Sequence, residues 1–364
     1  MEFGNVYFGK KVLITGDTGF KGSWLSIWLK RLGAEVYGFS DSIPTTPSNF
    51  IASGVNSRII HSFINVLDYE VFKKGIVEIE PDFIFHLAAQ AIVADSYRDP
   101  KSTFDVNVIG TSNLLNILRE INIECSVVVI TSDKCYDNVE WVWGYREEDR
   151  LGGKDPYSAS KAAAELIFSS YYNSFFSGSD CRVRLASARA GNVIGGGDWA
   201  SNRIIPDAMR SWSTSKELLI RSPKATRPWQ HVLEPLSGYL LLGQFLFNDS
   251  KLSGESYNFG PTSDSNFSVE TLLEEVRKHM TDFNWRSEVQ DIFKEAGLLK
   301  LSCDKALFDL NWKSNLSFTE TISSVVSWYK EYYTNNSDSM FDFTSNQIAE
   351  YVSIAKENKL DWAK

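Results

Sequence analysis

The sequence predicts an α/β protein, in which a doubly wound parallel sheet is followed by a smaller mixed domain. Short apolar runs alternate with helical patterns along the first half of the chain, as is typical of β-α-β units. A glycine-rich turn joins the first apolar run to the first helical pattern. Hydrophobic residues make up 43% of the 364 residues, which is enough for a large packed core and excludes a disordered chain.

Each predicted strand is a short apolar run that ends at a small or polar residue. These runs lie at residues 11–15, 34–39, 82–87, 126–131 and 182–189. The helical patterns between them, among them residues 108–118 and 160–172, predict crossover helices that make the strands parallel.

The character of the sequence changes after residue 192, where turn-forming residues separate short strands and helices. We predict a sheet domain at 1–192, with an apolar helix near 232–258 that packs back on it. Residues 193–231 and 259–335 then form the smaller domain. Residues 336–364 form a C-terminal linker and helix.

Charge and cysteine content exclude several classes of protein. Lys+Arg 37 against Asp+Glu 46 gives a net charge of −9, which disfavours nucleic acid and anionic membranes as partners. The 4 Cys form no C-x-x-C pair, which argues against a zinc ribbon or a disulfide framework and predicts a cytoplasmic protein. No His has metal-ligand spacing and no apolar run approaches the length of a membrane span, so we expect neither a metal site nor a membrane anchor.

The turn after the first strand carries glycines at every third position, Gly16, Gly19 and Gly22. Between a strand and a helix, such glycines let backbone N–H groups approach a pyrophosphate at the positive helix end. Asp41, at the end of the second strand, could accept a hydrogen bond from a ribose 2′-hydroxyl. Because no Arg flanks Asp41 to hold a 2′-phosphate, the pattern favours NAD over NADP. A plain tight turn and a solvated Asp are the structural alternatives.

Tyr157 and Lys161 stand one helical turn apart on a predicted helix that begins at Pro156. A nearby cation lowers the pKa of a phenol toward neutrality and makes it a usable general base. Ser132 follows the predicted strand at 126–131, and strand carboxyl ends line the ligand crevice of a doubly wound sheet. The three side chains together predict a site that oxidises an alcohol.

These motifs resemble the extended short-chain dehydrogenases/reductases, which have a Rossmann-type fold. More narrowly, the chain resembles the NAD-dependent nucleotide-sugar dehydratases of that family that act on CDP-glucose. Related sugar dehydratases typically carry Asp-Glu where this chain has Asp133-Lys134. The segments that carry the resemblance are residues 16–22, 19–24, 86–90, 131–136, 141–146, 152–157 and 227–232.

The resemblance implies a dehydration in three steps. Tyr157, assisted by Ser132 and Lys161, takes the proton of the sugar C4 hydroxyl while hydride passes to NAD. The 4-keto group acidifies the C5 proton, so that Lys134, as an uncharged base, and Asp133, as the acid, expel water. Hydride then returns to C6 and gives CDP-4-keto-6-deoxyglucose, which feeds deoxysugar synthesis for surface glycans such as lipopolysaccharide.

The resemblance also implies the binding residues. The cofactor contacts would be Gly16, Thr18, Gly19, Phe20, Lys21, Gly22, Asp41, Asn65, Val66, Leu87, Ala88, Ala89, Gln90, Asn107, Tyr157 and Lys161. The substrate contacts would be Gln90, Ser96, Lys134, Asn192, Arg203, Arg227, Trp229 and His231, although His231 could equally be structural. Asp17 departs from the family, which usually has His there. A carboxylate at this position should repel the pyrophosphate unless it forms local hydrogen bonds.

Other functions are compatible with parts of this pattern. A nucleotide-sugar 4-epimerase needs Tyr157 and Lys161 but no acid/base pair at Asp133 and Lys134. A 4,6-dehydratase for another nucleotide hexose would keep the pair, whereas a non-catalytic NAD-binding regulator needs neither. Members of the family associate through two long helices, which predicts a homodimer, or a dimer of dimers, built on residues 108–118 and 160–172.

The aromatic content is high, at 13% of residues with 11 Trp. Large aromatic rings form the walls of many ligand pockets. We expect pocket walls from Trp141, Trp143, Trp199 and Trp229, which lie beside predicted site segments, and core packing from Trp24, Trp28, Trp285, Trp312 and Trp328.

Overall fold

A computed structural model describes residues 2–262, 265–288, 298–335 and 340–364. The strands, in chain order, are β1 Lys11–Thr15, β2 Glu35–Ser40, β3 Ile60–Phe63, β4 Phe83–His86, β5 Cys125–Ile130, β6 Val183–Arg189, β7 Val193–Ile194, β8 Leu218–Ile220, β9 Thr226–Arg227, β10 Gln230–His231, β11 Ser256–Asn258, β12 Phe267–Ser268 and β13 Trp285–Ser287.

The α-helices alternate with the first strands and dominate the rest of the chain. They are α1 Phe20–Arg31, α2 Asn49–Ala52, α3 Tyr69–Ile79, α4 Val93–Arg98, α5 Pro100–Phe104, α6 Gly110–Glu120, α7 Pro156–Tyr171, α8 Ile204–Ser213, α9 Leu233–Asn248, α10 Val269–His279, α11 Asp304–Leu310, α12 Phe318–Thr334 and α13 Met340–Glu357. None of the helices in the described residues has the length and apolar character needed to cross a bilayer.

The main sheet confirms the predicted fold class. Within the described residues it has seven strands in the order β11-β6-β5-β4-β1-β2-β3, and every neighbouring pair is parallel. The chain moves outward from β1 to β3 and then returns to the other side of β1 with β4. This reversal opens a crevice at the carboxyl ends of β1 and β4, where ligands bind in doubly wound sheets.

Side-chain alternation gives the sheet a separate core on each face. On β1, Val12 and Ile14 point to one core, which α1 and α9 cover, whereas Leu13 points to the other. Both faces are covered, so the central strands read as continuous apolar runs and are recognisable in the sequence.

Two strands of this sheet were not predicted, because neither is an apolar run. β3 contains His61 and Ser62, and β11 is the segment Ser-Tyr-Asn at the opposite edge. Edge strands are short and polar in many sheets, since only one side must pair. Their pairing partners, rather than their own composition, determine these two strands.

The helix predicted near 232–258 is α9, which packs against β5 and β6. It ends at Asn248, and the end of the predicted range forms strand β11 instead. The rest of the second half contains short two-stranded sheets, which pair β7 with β10, β9 with β12, and β8 with β13. This is the smaller C-terminal part that the sequence predicts. The residue boundaries of the two domains stay a prediction. Residues 336–339 of the predicted linker lie outside the described residues.

Most of the tryptophans predicted for the core lie there. Trp24, Trp28, Trp312 and Trp328 are completely buried, and Trp285 is half-buried against the same core. The predicted crossover helices at 108–118 and 160–172 correspond to α6 and α7, and the predicted C-terminal helix corresponds to α13.

A buried carboxylate joins α9 to the C-terminal helix. Glu234 is 1% exposed, accepts hydrogen bonds from the backbone N–H groups of Asn315 (3.0 Å) and Leu316 (2.7 Å), and accepts another from the Tyr351 hydroxyl (2.9 Å). Burial raises the pKa of Glu234 to about 7, and the donated hydrogen bonds only partly oppose that shift.

We predict that Glu234 makes the protein less stable as pH rises. Its pKa is about 7 in the folded protein against an ordinary value of 4.5, so the folded state binds more protons between these values. Stability from this group is complete below pH 4.5 and is lost as pH rises through 7, by about 3 kcal/mol. Urea unfolding across this range should show a flatter pH dependence for Glu234→Gln. Glu270→Gln, at an exposed site, should keep the wild-type profile; equal profiles for Glu234→Gln and wild type would contradict the prediction.

Candidate active site

The glycine-rich loop leaves the end of β1 and enters α1 as an uncapped helix end. Gly16 has φ +79°, and a Cβ on Gly22 would overlap the Gly16 carbonyl, so both positions require glycine. Gly19 precedes the helix, and no side chain among the described residues caps its first turn. The N–H groups of that turn stay open at the positive end of the helix dipole, which makes the loop an anion site.

Most of the other predicted cofactor residues lie at the same edge of the sheet. Asp41 follows β2 and is exposed, Asn65 and Val66 follow β3, and residues 87–90 follow β4. A Cβ on Gly16 would lie 2.8 Å from the Ala88 backbone nitrogen, so this segment packs directly on the loop. The structure therefore gathers these residues around one crevice.

Asn107 is turned toward the segment after β4. Its Oδ1 accepts a hydrogen bond from the Gln90 backbone N–H at 2.8 Å, and its Nδ2 donates to Ser160 Oγ at 2.8 Å. The Gln90 side chain forms hydrogen bonds with the backbone of Ile92. In this structure the two amides brace the loop and tie it to α7.

The catalytic candidates converge from two elements. Ser132 ends β5 and begins a tight turn, where its Oγ accepts a hydrogen bond from the Lys134 N–H at 3.2 Å. Asp155 caps α7 by accepting from the Ser158 N–H at 2.9 Å, and Pro156 occupies the first helical position. These start signals fix Tyr157 in the first turn of α7 and Lys161 one turn later.

The acid–base state of the pair differs from the sequence expectation. Burial raises the pKa of Tyr157 to about 12, and the Ser132 hydrogen bond and the charge of Arg203 only partly oppose it. The prediction that a neighbouring cation brings this pKa toward neutrality is therefore wrong for this structure, because desolvation of the phenolate outweighs the nearby charges. Burial also lowers the pKa of Lys161 to about 8.

Asp133 and Lys134 lie beside these groups. Ser132 Oγ donates to Asp133 Oδ1 at 3.0 Å, and Lys134 Nζ lies 5.9 Å from the centre of the Tyr157 ring. The Asp133 carboxylate is buried, and a Cβ on Gly191 would overlap it. One side chain able to donate a proton and one able to accept it therefore sit next to the predicted oxidation site.

Lys21 also belongs to the site, but the sequence does not predict where its side chain lies. It was predicted as a cofactor contact of the loop, yet its Nζ reaches across the crevice to within 3.2 Å of the Tyr239 hydroxyl on α9. Burial lowers the pKa of Lys21 to about 7, with a further lowering by Arg203 and Lys161 that Asp133 opposes. The sequence shows that Lys21 lies inside the glycine motif. The fold shows in addition that its amine lies near Arg203, Asp133 and Lys161.

Arg203, one of the predicted substrate contacts, has a charge that reaches Tyr157 and Lys21. It donates to Asp198 Oδ2 at 2.9 Å, and its charge lowers the pKa values of both Tyr157 and Lys21. Asn192 has φ +49° and accepts a hydrogen bond from the Gln230 N–H. Arg227 lies in β9, where it donates to the Thr226 carbonyl.

Two predicted substrate contacts are structural in this molecule. His231 is completely buried between the Trp24 ring, 5.6 Å away, and Ser324, and burial lowers its pKa to about 3. Of the two interpretations of His231, the structure therefore favours the structural one. Ser96 is also completely buried and donates to the Val93 carbonyl at 2.7 Å.

The predicted aromatic walls divide into two groups. Trp199 and Trp229 are 5% and 9% exposed and pack in the core, so their predicted place in a pocket wall stays a prediction. The Trp199 ring packs against that of Trp328 at 5.6 Å, and the residues around it come from α12, far along the chain. Trp141 and Trp143, on the segment between β5 and α7, are 37% and 71% exposed and remain candidates for a wall.

A buried ion pair holds α7, which carries Tyr157 and Lys161, on the sheet. Arg189, at the end of β6, donates to Glu165 Oε2 at 2.8 Å, and both side chains are at least 95% buried. Glu165 also accepts from Thr131 and Ser187. Burial alone would raise the pKa of Glu165, but the Arg189 charge and these hydrogen bonds outweigh burial and shift it downward.

The chain is similar in sequence to a family of nucleotide-sugar enzymes. Residues 13–325 match the family model described as GDP-mannose 4,6 dehydratase. The CDP-glucose 4,6-dehydratase of Salmonella typhimurium is 43% identical over 96% of this chain and 98% of its own length. The CDP-paratose 2-epimerase of Salmonella typhi is 24% identical over 87% of this chain and 98% of its own.

Solved structures share the fold at low identity. The epimerase Mth375 of Methanothermobacter thermautotrophicus superposes with a TM-score of 0.78 at 23% identity, over 91% of this chain and 95% of its own. A dTDP-glucose 4,6-dehydratase of Bacillus anthracis, solved in complex with NAD, gives a TM-score of 0.72 at 20% identity, over 89% and 97%. At such identities the likeness establishes the fold alone.

Proposed function

Because the chain belongs to the GDP-mannose 4,6-dehydratase family of extended short-chain dehydrogenases/reductases, we propose that it is an NAD-dependent dehydratase that converts CDP-glucose to CDP-4-keto-6-deoxyglucose. The observation that carries the proposal is the placement of Asp133 and Lys134 on the same turn as Ser132, beside Tyr157. An oxidation site with an adjacent acid and base suits elimination of water, which a 4-epimerase does not perform. The 43% identity to a CDP-glucose 4,6-dehydratase supports the choice of substrate.

The residues of the crevice fit NAD. The uncapped first turn of α1 suits the pyrophosphate, and the tight packing of Gly16 and Gly22 leaves no side chain in front of those N–H groups. We assign Asp41 to the adenosine ribose and Asn65 to the adenine end. When bound, NAD would supply a hydride acceptor for C4 of the sugar and a hydride donor for C6.

In the first step, Tyr157 removes the proton of the C4 hydroxyl. The tyrosine is protonated at rest, because its pKa is about 12, so it must be brought toward the phenolate before it can act. The Arg203 charge favours the phenolate, whereas the Asp133 charge opposes it. Lys161, on the next turn of α7, adds a positive charge and helps to orient the C4 hydroxyl of the sugar.

In the second step, the neighbouring pair removes water. We assign Lys134 as the base that takes the C5 proton and Asp133 as the acid that protonates the C6 hydroxyl. Asp133 is 3% exposed, and it lies on the same short turn as Lys134, so both side chains can face one sugar. Arg203 and Arg227 are assigned to the diphosphate, whose oxygens suit a guanidinium fork.

We also propose where the enzyme works and what it feeds. The described cysteines, Cys125, Cys135, Cys181 and Cys303, are all free thiols, which supports a reducing cytoplasm. A 4-keto-6-deoxy sugar on a nucleotide carrier is an activated precursor of deoxysugars, so the product would enter synthesis of surface glycans such as lipopolysaccharide.

A homodimer through α6 and α7 is the oligomer that the surface supports best. Ile109, Leu166 and Phe175 are 49%, 60% and 52% exposed on this side of the molecule. Arg119 stacks over Phe175, 5.2 Å from the ring centre, and covers only part of it. A second copy of the same face would bury these apolar side chains in an isologous contact.

The first experiment tests the function itself. Purified protein with NAD and CDP-glucose should form a product lighter by one water, with no net NADH, because the hydride leaves and returns within one turnover. Mass spectrometry of a panel of nucleotide hexoses gives the product and the preferred base. Tyr157→Phe should abolish conversion. A product of unchanged mass, CDP-galactose, would indicate an epimerase, and no turnover of any nucleotide hexose would indicate a regulator.

Lys134→Ala separates the two chemical steps. We expect water loss to stop while slow oxidation persists, because Tyr157, Ser132 and Lys161 are intact. Reduced cofactor should then accumulate on the enzyme and be visible by its near-ultraviolet absorbance. Lys154→Ala removes an exposed lysine that donates to the Asn138 carbonyl, and it should leave turnover unchanged. Wild-type turnover in Lys134→Ala would remove this residue from the mechanism.

Leu166→Glu tests the dimer. A charge in the centre of an apolar contact is costly to bury, so we expect this variant to be monomeric by light scattering when wild type is dimeric. Phe308→Glu changes a side chain that is 89% exposed on α11, away from this face, and should leave the mass unchanged. Dimeric Leu166→Glu would place the contact elsewhere.

A further inference from the structure

Asp17, the residue that departs from the family pattern in the glycine-rich loop, points into the protein. Its side chain is completely buried. Oδ1 accepts a hydrogen bond from Ser40 Oγ at 2.6 Å, and Oδ2 lies 2.7 Å from His61 Nδ1. These two hydrogen bonds hold the carboxylate away from the open N–H groups of α1. Asp17 therefore need not repel a pyrophosphate bound there.

The surroundings of this carboxylate are shaped for it. A Cβ on Gly38 would overlap the Asp17 carboxylate, so the glycine in β2 makes the space. Ser40 Oγ also accepts from the Thr18 N–H at 3.3 Å, and Thr18 Oγ1 donates to the Ser42 carbonyl at 2.7 Å. A continuous set of hydrogen bonds thus links the loop after β1 with the end of β2.

His61 extends the link to β3. Its ring packs edge-on against Phe50 and Phe63, with centre distances of 5.2 and 4.7 Å, and the side chain is 11% exposed. The other ring nitrogen, Nε2, is buried and forms no hydrogen bond with the described residues. Asp17 is therefore the polar partner of this imidazole.

We propose that His61 is a positioning residue for the cofactor, because by holding the Asp17 carboxylate beneath the loop it keeps the loop's N–H groups open to a dinucleotide. This inference rests on the proposed NAD site. Without His61, the buried Asp17 carboxylate would keep the Ser40 hydrogen bond but lose the partner on Oδ2, and a buried charge with too few partners is expensive. Turning Asp17 outward would relieve that cost, and the carboxylate would then face the phosphates and repel them.

The test measures NAD affinity by calorimetry rather than turnover. Because the displaced carboxylate would repel the phosphates, His61→Leu should bind NAD about 10- to 100-fold more weakly, which corresponds to about 1.4–2.8 kcal/mol. The double variant Asp17→Asn/His61→Leu, which removes the unpaired charge, should recover affinity to within about threefold of wild type. A merely structural role for His61 would not be repaired by changing Asp17. His279→Leu, on α10, is the matched control and should bind NAD as wild type does.

Two results would overturn the inference: wild-type affinity in folded His61→Leu, or a double variant that binds no better than the single one. If His61→Leu fails to fold by circular dichroism, His61→Gln and Asp17→Asn/His61→Gln provide the same comparison with a smaller change. Wild-type protein that binds NAD but turns over no sugar would end the proposed function and leave the pair testable. Unchanged affinity in His61→Leu would end the pair's role and leave the function standing.

Discussion

The buried ion pair between Arg189 and Glu165 is the constraint on which the candidate active site depends. Glu165 lies on α7, one turn beyond Lys161, and Arg189 ends β6. The second arm of Arg189 donates to the Tyr136 hydroxyl, which in turn donates to Asn258 on β11. One guanidinium therefore fixes the catalytic helix, the segment after β5 and the edge of the sheet. Because each charge is buried, neither partner can be lost without leaving an uncompensated ion in the core.

This scaffold also influences the chemistry. Lys161 is deeply buried, which lowers its pKa to about 8, and the negative charge of Glu165 works against that shift. Tyr157 experiences the same desolvation with the opposite sign, since burial raises a phenol pKa. Tyr157 is therefore a protonated phenol near neutral pH.

How far the sequence predicts the molecule follows from the distance between interacting residues. Elements with local signals were predictable: the apolar central strands, the glycine loop, and the Asp155–Pro156 start that places Tyr157. Features that depend on partners far along the chain were not. Asp17 and His61 are 44 positions apart, and the sequence around either residue does not predict their contact. The raised pKa of Tyr157 is unpredictable from the sequence for the same reason. It results from burial, and the elements that bury Tyr157 come together only in the fold.

The Glu234 carboxylate has a consequence for the order in which the chain is made. Its hydrogen-bond donors, Asn315, Leu316 and Tyr351, lie 81 to 117 positions later than Glu234 itself. Until the ribosome has produced this stretch, the Glu234 carboxylate on α9 lacks these three hydrogen-bond donors. The full set of hydrogen bonds on Glu234 can therefore form only after Tyr351 has been synthesised.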